Sequence, residues 1–248
     1  MKVYGLVGFP LSHSFSASYF AEKFRKENIS DSEYLNFPIE TIEELRSLLD
    51  SNPDLRGLNV TIPYKEKVIN YLDKVDDVAG KIGAVNSIKI EYFSGKRTLT
   101  GYNTDAPGFL NALNPFLSKD ITSALILGTG GASKAVDFAL QNSGIKTTLV
   151  SRSTNKADIV YKDLNENIIL DNLLIVNTSP LGTYPKIEEC PDIPYNFLTR
   201  KHVLYDLVYN PEITLFMKKG EEMGAKILNG YQMLVNQAEE SWKIWNLV

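Results

Sequence analysis

Lys65, in "LNVTIPYKEKV" from Leu58 to Val68, and Asp105, in "GYNTDAPGF", are the residues of this chain best suited to move a proton. Asn59 and Thr61 alternate with Val60 and Ile62, so one face of a short strand is polar as it approaches Lys65. Pro63 ends that strand and fits the first turn of a helix, which predicts Lys65 near a helix N-terminus, where the macrodipole disfavours a cation. A lysine there needs a charged partner. Asp105, at a helix start where a carboxylate is favoured, supplies one, and the same position also suits a plain N-cap. A lysine and an aspartate facing a nicotinamide would move the proton that accompanies a hydride when a ketone is reduced.

A second constellation, Gly128-Thr129-Gly130-Gly131-Ala132-Ser133, follows the strand-like SALIL and opens a helical pattern. Glycines there permit a tight turn and bring backbone N–H groups against a pyrophosphate at the helix N-terminus. The next strand ends in Ser151-Arg152-Ser153, with Lys156 just beyond, where an NAD site would carry Asp or Glu. Arg152 can stack on adenine or fork onto a 2′-phosphate, so the pattern favours NADP.

These residues need elements to hold them. KVYGLVG, a helix from about Ser16 to Glu27, EYLNFPI, a helix from Ile42 to Leu49 and the LNVTI strand alternate as in a parallel α/β sheet. Two extended runs around Ser94-Gly95-Lys96 predict an antiparallel hairpin and a domain edge. A helix from about Ala106 to Phe116 follows. SALIL, the glycine turn with its helix, and KTTLVSRS then form a strand–helix–strand unit. NLLIVNTS and HVLYDLVY read as further buried strands. Gly230 to Asn246 closes the chain as a helix with Leu234, Ala238, Trp242 and Trp245 at helical spacing.

Composition narrows the function classes. The 248 residues are 44% hydrophobic and 23% charged, with a net charge of −4 and no basic stripe for a phosphate backbone, which disfavours nucleic acid. One cysteine, Cys190, and two histidines, His13 and His202, predict neither an internal disulfide nor a metal centre. The opening MKVYGLVGFP is too short for a signal h-region and no later run could span a bilayer, which predicts a cytoplasmic protein without membrane partners.

In order along the chain, "GFPLSHSFS", "LNVTIPYKE", "GAVNS", "GYNTD", "LGTGGASKA", "VSRS", "IVNTSPLG", "YDLVYNPEITLF" and "NGYQMLVNQA" resemble the motifs of shikimate dehydrogenases over nearly the whole length. The resemblance implies an α/β fold in which an N-terminal substrate domain, 1–101 with 233–248, is joined to a Rossmann-like NADP-binding domain, 102–232. It implies reversible NADPH-dependent reduction of 3-dehydroshikimate to shikimate, on the route to chorismate and the aromatic amino acids, by a monomer or homodimer. On that resemblance Lys65 and Asp105 are the catalytic pair. Ser14 and Ser16 hold the substrate carboxylate, a helix start where either serine also serves as an N-cap. Asn59, Thr61, Asn86, Tyr209 and Gln237 line the substrate. Gly128, Gly130, Gly131, Ala132, Ser151, Arg152, Ser153, Lys156, Asn177, Thr178, Ser179, Leu207, Gly230 and Met233 contact the cofactor, although Met233 at helical spacing also suits the core and Tyr209 plain packing.

The chain departs from the family pattern at Ala17, where proline is usual, at Ala106-Pro107, and at Ser151 and Ser153 around Arg152. The stretch from Ser153 to Asn172 is short, which predicts a trimmed connection on the cofactor domain. Two alternatives stand beside the main reading. A quinate dehydrogenase of broader specificity needs nearly the same residues. A non-catalytic NADP sensor would lack Lys65 or Asp105.

Overall fold

The computed structural model describes residues 1–11 and 15–247, and the chain divides into two compact units, Met1–Thr104 with Gln237–Val248, and Asp105–Asn236. The first contains β1 (Lys2–Gly8), α1 (Phe15–Lys26), β2 (Ser32–Pro38), α2 (Leu45–Ser51), β3 (Leu55–Val60), β4 (Lys74–Val75), α3 (Asp77–Ile82), β5 (Ser87–Phe93) and β6 (Lys96–Tyr102). Its sheet runs β2-β1-β3-β5-β6-β4. β1 is parallel to β2 and β3, whereas β5 is antiparallel to β3 and β6, so this sheet is mixed rather than parallel throughout. From Val3 onward β1 is buried, as its near-continuous apolar run requires of a strand covered on both faces. The predicted hairpin is present. Ser94 and Gly95 turn it with φ of 49° and 78°, the paired positive dihedrals of a two-residue hairpin turn. Asn59 lies opposite Ser87, and Ser87 opposite Tyr102, so the end of β3, the start of β5 and the end of β6 lie side by side at one end of the sheet.

The second unit contains α4 (Asp105–Leu113), β7 (Ser123–Leu127), α5 (Gly131–Asn142), β8 (Lys146–Ser151), β9 (Ile159–Val160), α6 (Glu166–Asp171), β10 (Leu174–Asn177), β11 (Val203–Asp206), α7 (Leu215–Glu222), β12 (Lys226–Leu228) and the start of α8 (Tyr231–Asn246). The strands are parallel in the order β12-β11-β10-β7-β8-β9. From β7 the chain winds first to β8 and β9 and then back to β10. The order therefore reverses between β7 and β10, where an open α/β sheet leaves a crevice for a ligand. Between β8 and β10 the connection is reduced to 3₁₀ turns, the two-residue β9 and the six-residue α6.

The last part of α8 belongs to the first unit and packs through its tryptophans. Tyr4 stacks on Trp245 with centroids 5.1 Å apart and meets Trp242 edge-on at 5.1 Å. Gly57 makes room, since a Cβ there would stand 2.5 Å from the Trp245 indole. Among the described residues no helix is long and apolar enough to cross a membrane.

Candidate active site

In the first unit the predicted substrate residues gather where β3 ends. Asn59 is the penultimate residue of β3, and Thr61 follows the strand, its N–H donating to the Val7 carbonyl at 2.9 Å. Asn86 immediately precedes β5 and donates its N–H to the Tyr102 carbonyl at 3.1 Å. The turn bearing Lys65 is fastened to the same end of the sheet, because the Val85 N–H donates to the Lys65 carbonyl at 2.7 Å. Lys65 does not stand at the N-terminus of an α-helix as Pro63 predicts. Residues 62–63 and 65–66 are turns, and only a 3₁₀ segment, Lys67–Tyr71, comes next. Tyr64 explains the difference: its side chain is buried and its hydroxyl donates to the Ile39 carbonyl at 2.8 Å, so the chain bends to deliver it to the core.

Asn59, Asn86, Thr104, Gln237 and Ser241 are all buried, and they are polar, so they must satisfy one another. The Thr104 N–H donates to Asn86 Oδ1 at 2.7 Å, which fixes the orientation of that carboxamide, and Asn86 Nδ2 donates to Thr104 Oγ1 at 2.9 Å. Asn86 Nδ2 also lies 3.5 Å from Gln237 Oε1. Asn59 gives both N–H bonds to the protein, to Ser241 Oγ at 2.8 Å and the Asn86 carbonyl at 3.3 Å, and its Oδ1 accepts from Tyr34 at 2.8 Å. It therefore has one oxygen lone pair left for any ligand. Burial holds the Tyr34 phenol far above its ordinary pKa, against a hydrogen bond with Ser16 that lowers it, so Tyr34 acts as a neutral donor. Ser16 is the second residue of α1 and is buried, while Ser14 lies outside the described residues.

In the second unit the glycine turn joins β7 to α5 at the point where strand order reverses. Gly128 has φ +125°, and a Cβ there would stand 2.6 Å from Thr178 Oγ1, so only glycine fits between the two loops. Gly130 is the N-cap of α5 and provides no side-chain cap, and a Cβ on it would meet nothing within 4 Å. Gly131 and Ala132 begin the helix. Ser133, which could have capped it, turns its hydroxyl back to the Gly130 carbonyl at 2.6 Å. The first turn thus presents backbone N–H groups to open space, a cradle that suits a pyrophosphate. Ser151 ends β8, and Arg152, Ser153 and Lys156 beyond it are exposed without a carboxylate among them. The next acid, Asp158, already accepts from the Leu149 N–H at 2.8 Å. These residues fit a nucleotide bearing a 2′-phosphate better than one with a free ribose.

Asn177 ends β10, and its Oδ1 accepts from the Ser179 N–H at 3.0 Å and the Ser179 hydroxyl at 2.7 Å, while Thr178 Oγ1 donates to the Leu127 carbonyl at 3.0 Å. The Leu207 N–H donates to the Asn177 carbonyl at 2.9 Å, and the Gly230 N–H to the Val208 carbonyl at 3.0 Å. A Cβ on Gly230 would collide with the Leu207 carbonyl oxygen at 2.0 Å. Asn177, Thr178, Ser179, Leu207 and Gly230 are therefore one packed set at the C-terminal ends of the strands. Tyr209 is half-buried and its phenol is raised by burial. Met233 is buried in the second unit, and Asp105, also buried, opens α4.

Sequence reasoning passed over Tyr34, Thr104, Ser241 and Asp206. Asp206 had a signal, an acid inside the apolar run HVLYDLVY. It is buried, accepts from Asn177 Nδ2 at 2.9 Å, the Val208 N–H at 3.0 Å and Thr214 Oγ1 at 2.6 Å, and burial raises its pKa to about 6. The other three had none, since their partners are remote in sequence.

A doubly wound parallel sheet with a glycine turn at its reversal point and a basic residue after the second strand belongs to the dinucleotide-dependent dehydrogenases. A family model for the shikimate dehydrogenase substrate binding domain matches residues 6–88. The chain is 41% identical to a shikimate dehydrogenase (NADP(+)) of Clostridium beijerinckii, with 99% of this chain and 92% of that one aligned. It superposes with a TM-score of 0.86 on a shikimate dehydrogenase from Aquifex aeolicus at 37% identity, covering 99% and 92% of the two chains. With shikimate 5-dehydrogenase from Thermus thermophilus in complex with NADP(H) and shikimate the TM-score is 0.87 at 29% identity, covering 99% and 94%. The chain belongs to the shikimate dehydrogenase family.

Proposed function

We propose that this protein is an NADP-dependent shikimate dehydrogenase that interconverts 3-dehydroshikimate and shikimate in the cytoplasm, as a step toward chorismate and the aromatic amino acids. The observation that carries the reading is the bond from the Val85 N–H to the Lys65 carbonyl, 2.7 Å, which holds the lysine's turn against the segment that bears Asn86. The turn that bears the lysine and a buried, oriented carboxamide are thereby held beside each other at one end of β3 and β5, as a polyhydroxylated ring with a reacting carbonyl requires.

NADPH, when bound, supplies the hydride for carbonyl reduction. Lys65 gives a proton to the C3 oxygen of 3-dehydroshikimate as that carbon is reduced, and takes it back when shikimate is oxidised. Asp105 is the second catalytic residue. Asn86 and Gln237 grip ring hydroxyls, Thr61 lines the ring, Tyr209 contacts the substrate, and Ser14 with Ser16 holds the carboxylate. The α5 N-terminus at Gly130, Gly131 and Ala132 would hold the pyrophosphate, and Ser151, Arg152, Ser153 and Lys156 the adenosine end. Asn177, Thr178, Ser179, Leu207, Gly230 and Met233 would form the wall around the nicotinamide half.

Initial rates with shikimate and quinate, each with NADP and with NAD, test the proposal. It expects the highest kcat/KM for shikimate with NADP. A preference for quinate moves the protein to a broader-specificity quinate dehydrogenase, and no turnover with any pair overturns the enzyme reading.

A further inference from the structure

One continuous hydrogen-bonded chain of side chains runs through the first unit and joins residues read as substrate contacts at its two ends. Ser16 bonds the Tyr34 hydroxyl, and Tyr34 donates to Asn59 Oδ1 at 2.8 Å. Asn59 Nδ2 donates to Ser241 Oγ at 2.8 Å, and Ser241 Oγ lies 3.2 Å from Thr104 Oγ1. Thr104 Oγ1 in turn accepts from Asn86 Nδ2 at 2.9 Å. β2, β3, β6's exit and α8 each contribute a member, so no single element sets the geometry.

The donor count decides what the middle of this chain does. Asn59 has spent both N–H bonds inside the protein and receives Tyr34 on its oxygen, so its carboxamide has one orientation available and little left for a polyol. Asn86 is oriented by the Thr104 N–H, a backbone donor that cannot rotate, and its Nδ2 is aimed along Thr104 Oγ1 and Gln237. Ser241, fully buried between Asn59 and Thr104, links these two carboxamides through α8. Tyr34 plays the same part at the other end, between Ser16 and Asn59.

We infer that Tyr34 and Ser241 are positioning residues for substrate recognition: through Asn59 and Thr104 they hold Ser16 and Asn86, the carboxylate and hydroxyl contacts, in mutual register. The inference rests on the shikimate reading of Ser16 and Asn86. It reassigns Asn59 from a substrate contact to the hub of the brace. Because buried hydrogen-bond chains polarise and orient their members, loss of either outer link should be felt at both ends.

The test is steady-state kinetics with shikimate and NADP on Tyr34→Phe, Ser241→Ala, the double variant and Ser241→Thr, with thermal melts on the same samples. Tyr34→Phe removes one oxygen and keeps the ring that stacks on Phe20 at 4.5 Å, so it carries the test if Ser241→Ala fails to fold. Each single variant should raise KM for shikimate about tenfold, as expected for an orphaned buried partner, and leave KM for NADP within about twofold. The double variant should fall short of the product of the singles, because both act on the Asn59 carboxamide. Ser241→Thr, which keeps the hydroxyl, should recover most of the loss. Lower melting temperatures with an unchanged KM for shikimate would show a brace that only stabilises the fold, and would overturn the inference while leaving the shikimate reading intact. An unmodified protein that does not oxidise shikimate overturns both.

Discussion

Asn177 donates through Nδ2 to Oδ1 of Asp206 at 2.9 Å, and this bond ties the ends of two adjacent parallel strands together beneath the loop that carries Thr178 and Ser179. The carboxyl is buried, and burial outweighs the three donors in lifting its pKa from 3.8 to about 6. A raised acid pKa means that the folded protein binds the proton more tightly than the unfolded chain. The contribution is fully present below about pH 4, is lost as pH rises through about 6 and is level above that, a change of about 3 kcal/mol. Asp206→Asn has no such proton. The melting temperature of Asp206→Asn relative to the unmodified protein should therefore rise between pH 4 and pH 6 and stay constant above. Parallel pH profiles would show that this carboxyl does not titrate in that window.

Gly128→Ala should damage both stability and cofactor binding. At φ +125° an alanine is strained whatever surrounds it, and its methyl would also meet Thr178 Oγ1 at 2.6 Å. The strain costs about 1–3 kcal/mol by itself. Removing the hydroxyl in Gly128→Ala with Thr178→Ala relieves the collision and leaves the dihedral, so that pair should recover only part of the loss. Denaturant melts and NADP titration measure the two effects, and an unshifted midpoint for Gly128→Ala would contradict the geometry.

The glycine turn, its flanking strand and helix, and the hairpin at Ser94-Gly95 were legible because each is decided by neighbours in sequence: glycine tolerance, alternation and helical spacing. The Lys65 turn was not, because Pro63 reads locally as a helix start while the burial of Tyr64 and its bond to Ile39, 25 residues away, bend the chain otherwise. Asn59 shows the same limit. Alternation in β3 marks it as polar, but its partners Tyr34 and Ser241 are 25 and 182 residues distant, so nothing local says that its amide is already committed. Sequence pattern shows that a buried polar residue needs partners, and only the fold chooses them.

Arg152→Ala separates phosphate recognition from adenine stacking. Arg152 and Lys156 are exposed beyond β8, and the nearest acid on that stretch, Asp158, is held by a backbone N–H. If Arg152 forks onto the 2′-phosphate, its loss should raise KM for NADP at least about tenfold while KM for NAD barely moves. Equal increases for both cofactors would mean that the guanidinium only stacks on the base, and NADP preference would then need another source.

Lys65→Ala tests the proton-transfer assignment most directly. The turn holding this lysine is fixed through its own carbonyl by the Val85 N–H, so the backbone and the neighbouring Asn86 should keep their places when the side chain is shortened. Proton transfer contributes about 10²–10⁴ in rate, and kcat for shikimate oxidation should fall by that much. Shikimate affinity, measured by titration rather than as KM, should stay within about tenfold, because the carboxylate and hydroxyl contacts remain. Lys65→Arg keeps the positive charge on a guanidinium that does not give up its proton, so it should be as slow as alanine. Should Lys65→Arg retain most of the activity, the charge would be sufficient, and the proton would have to travel through another group.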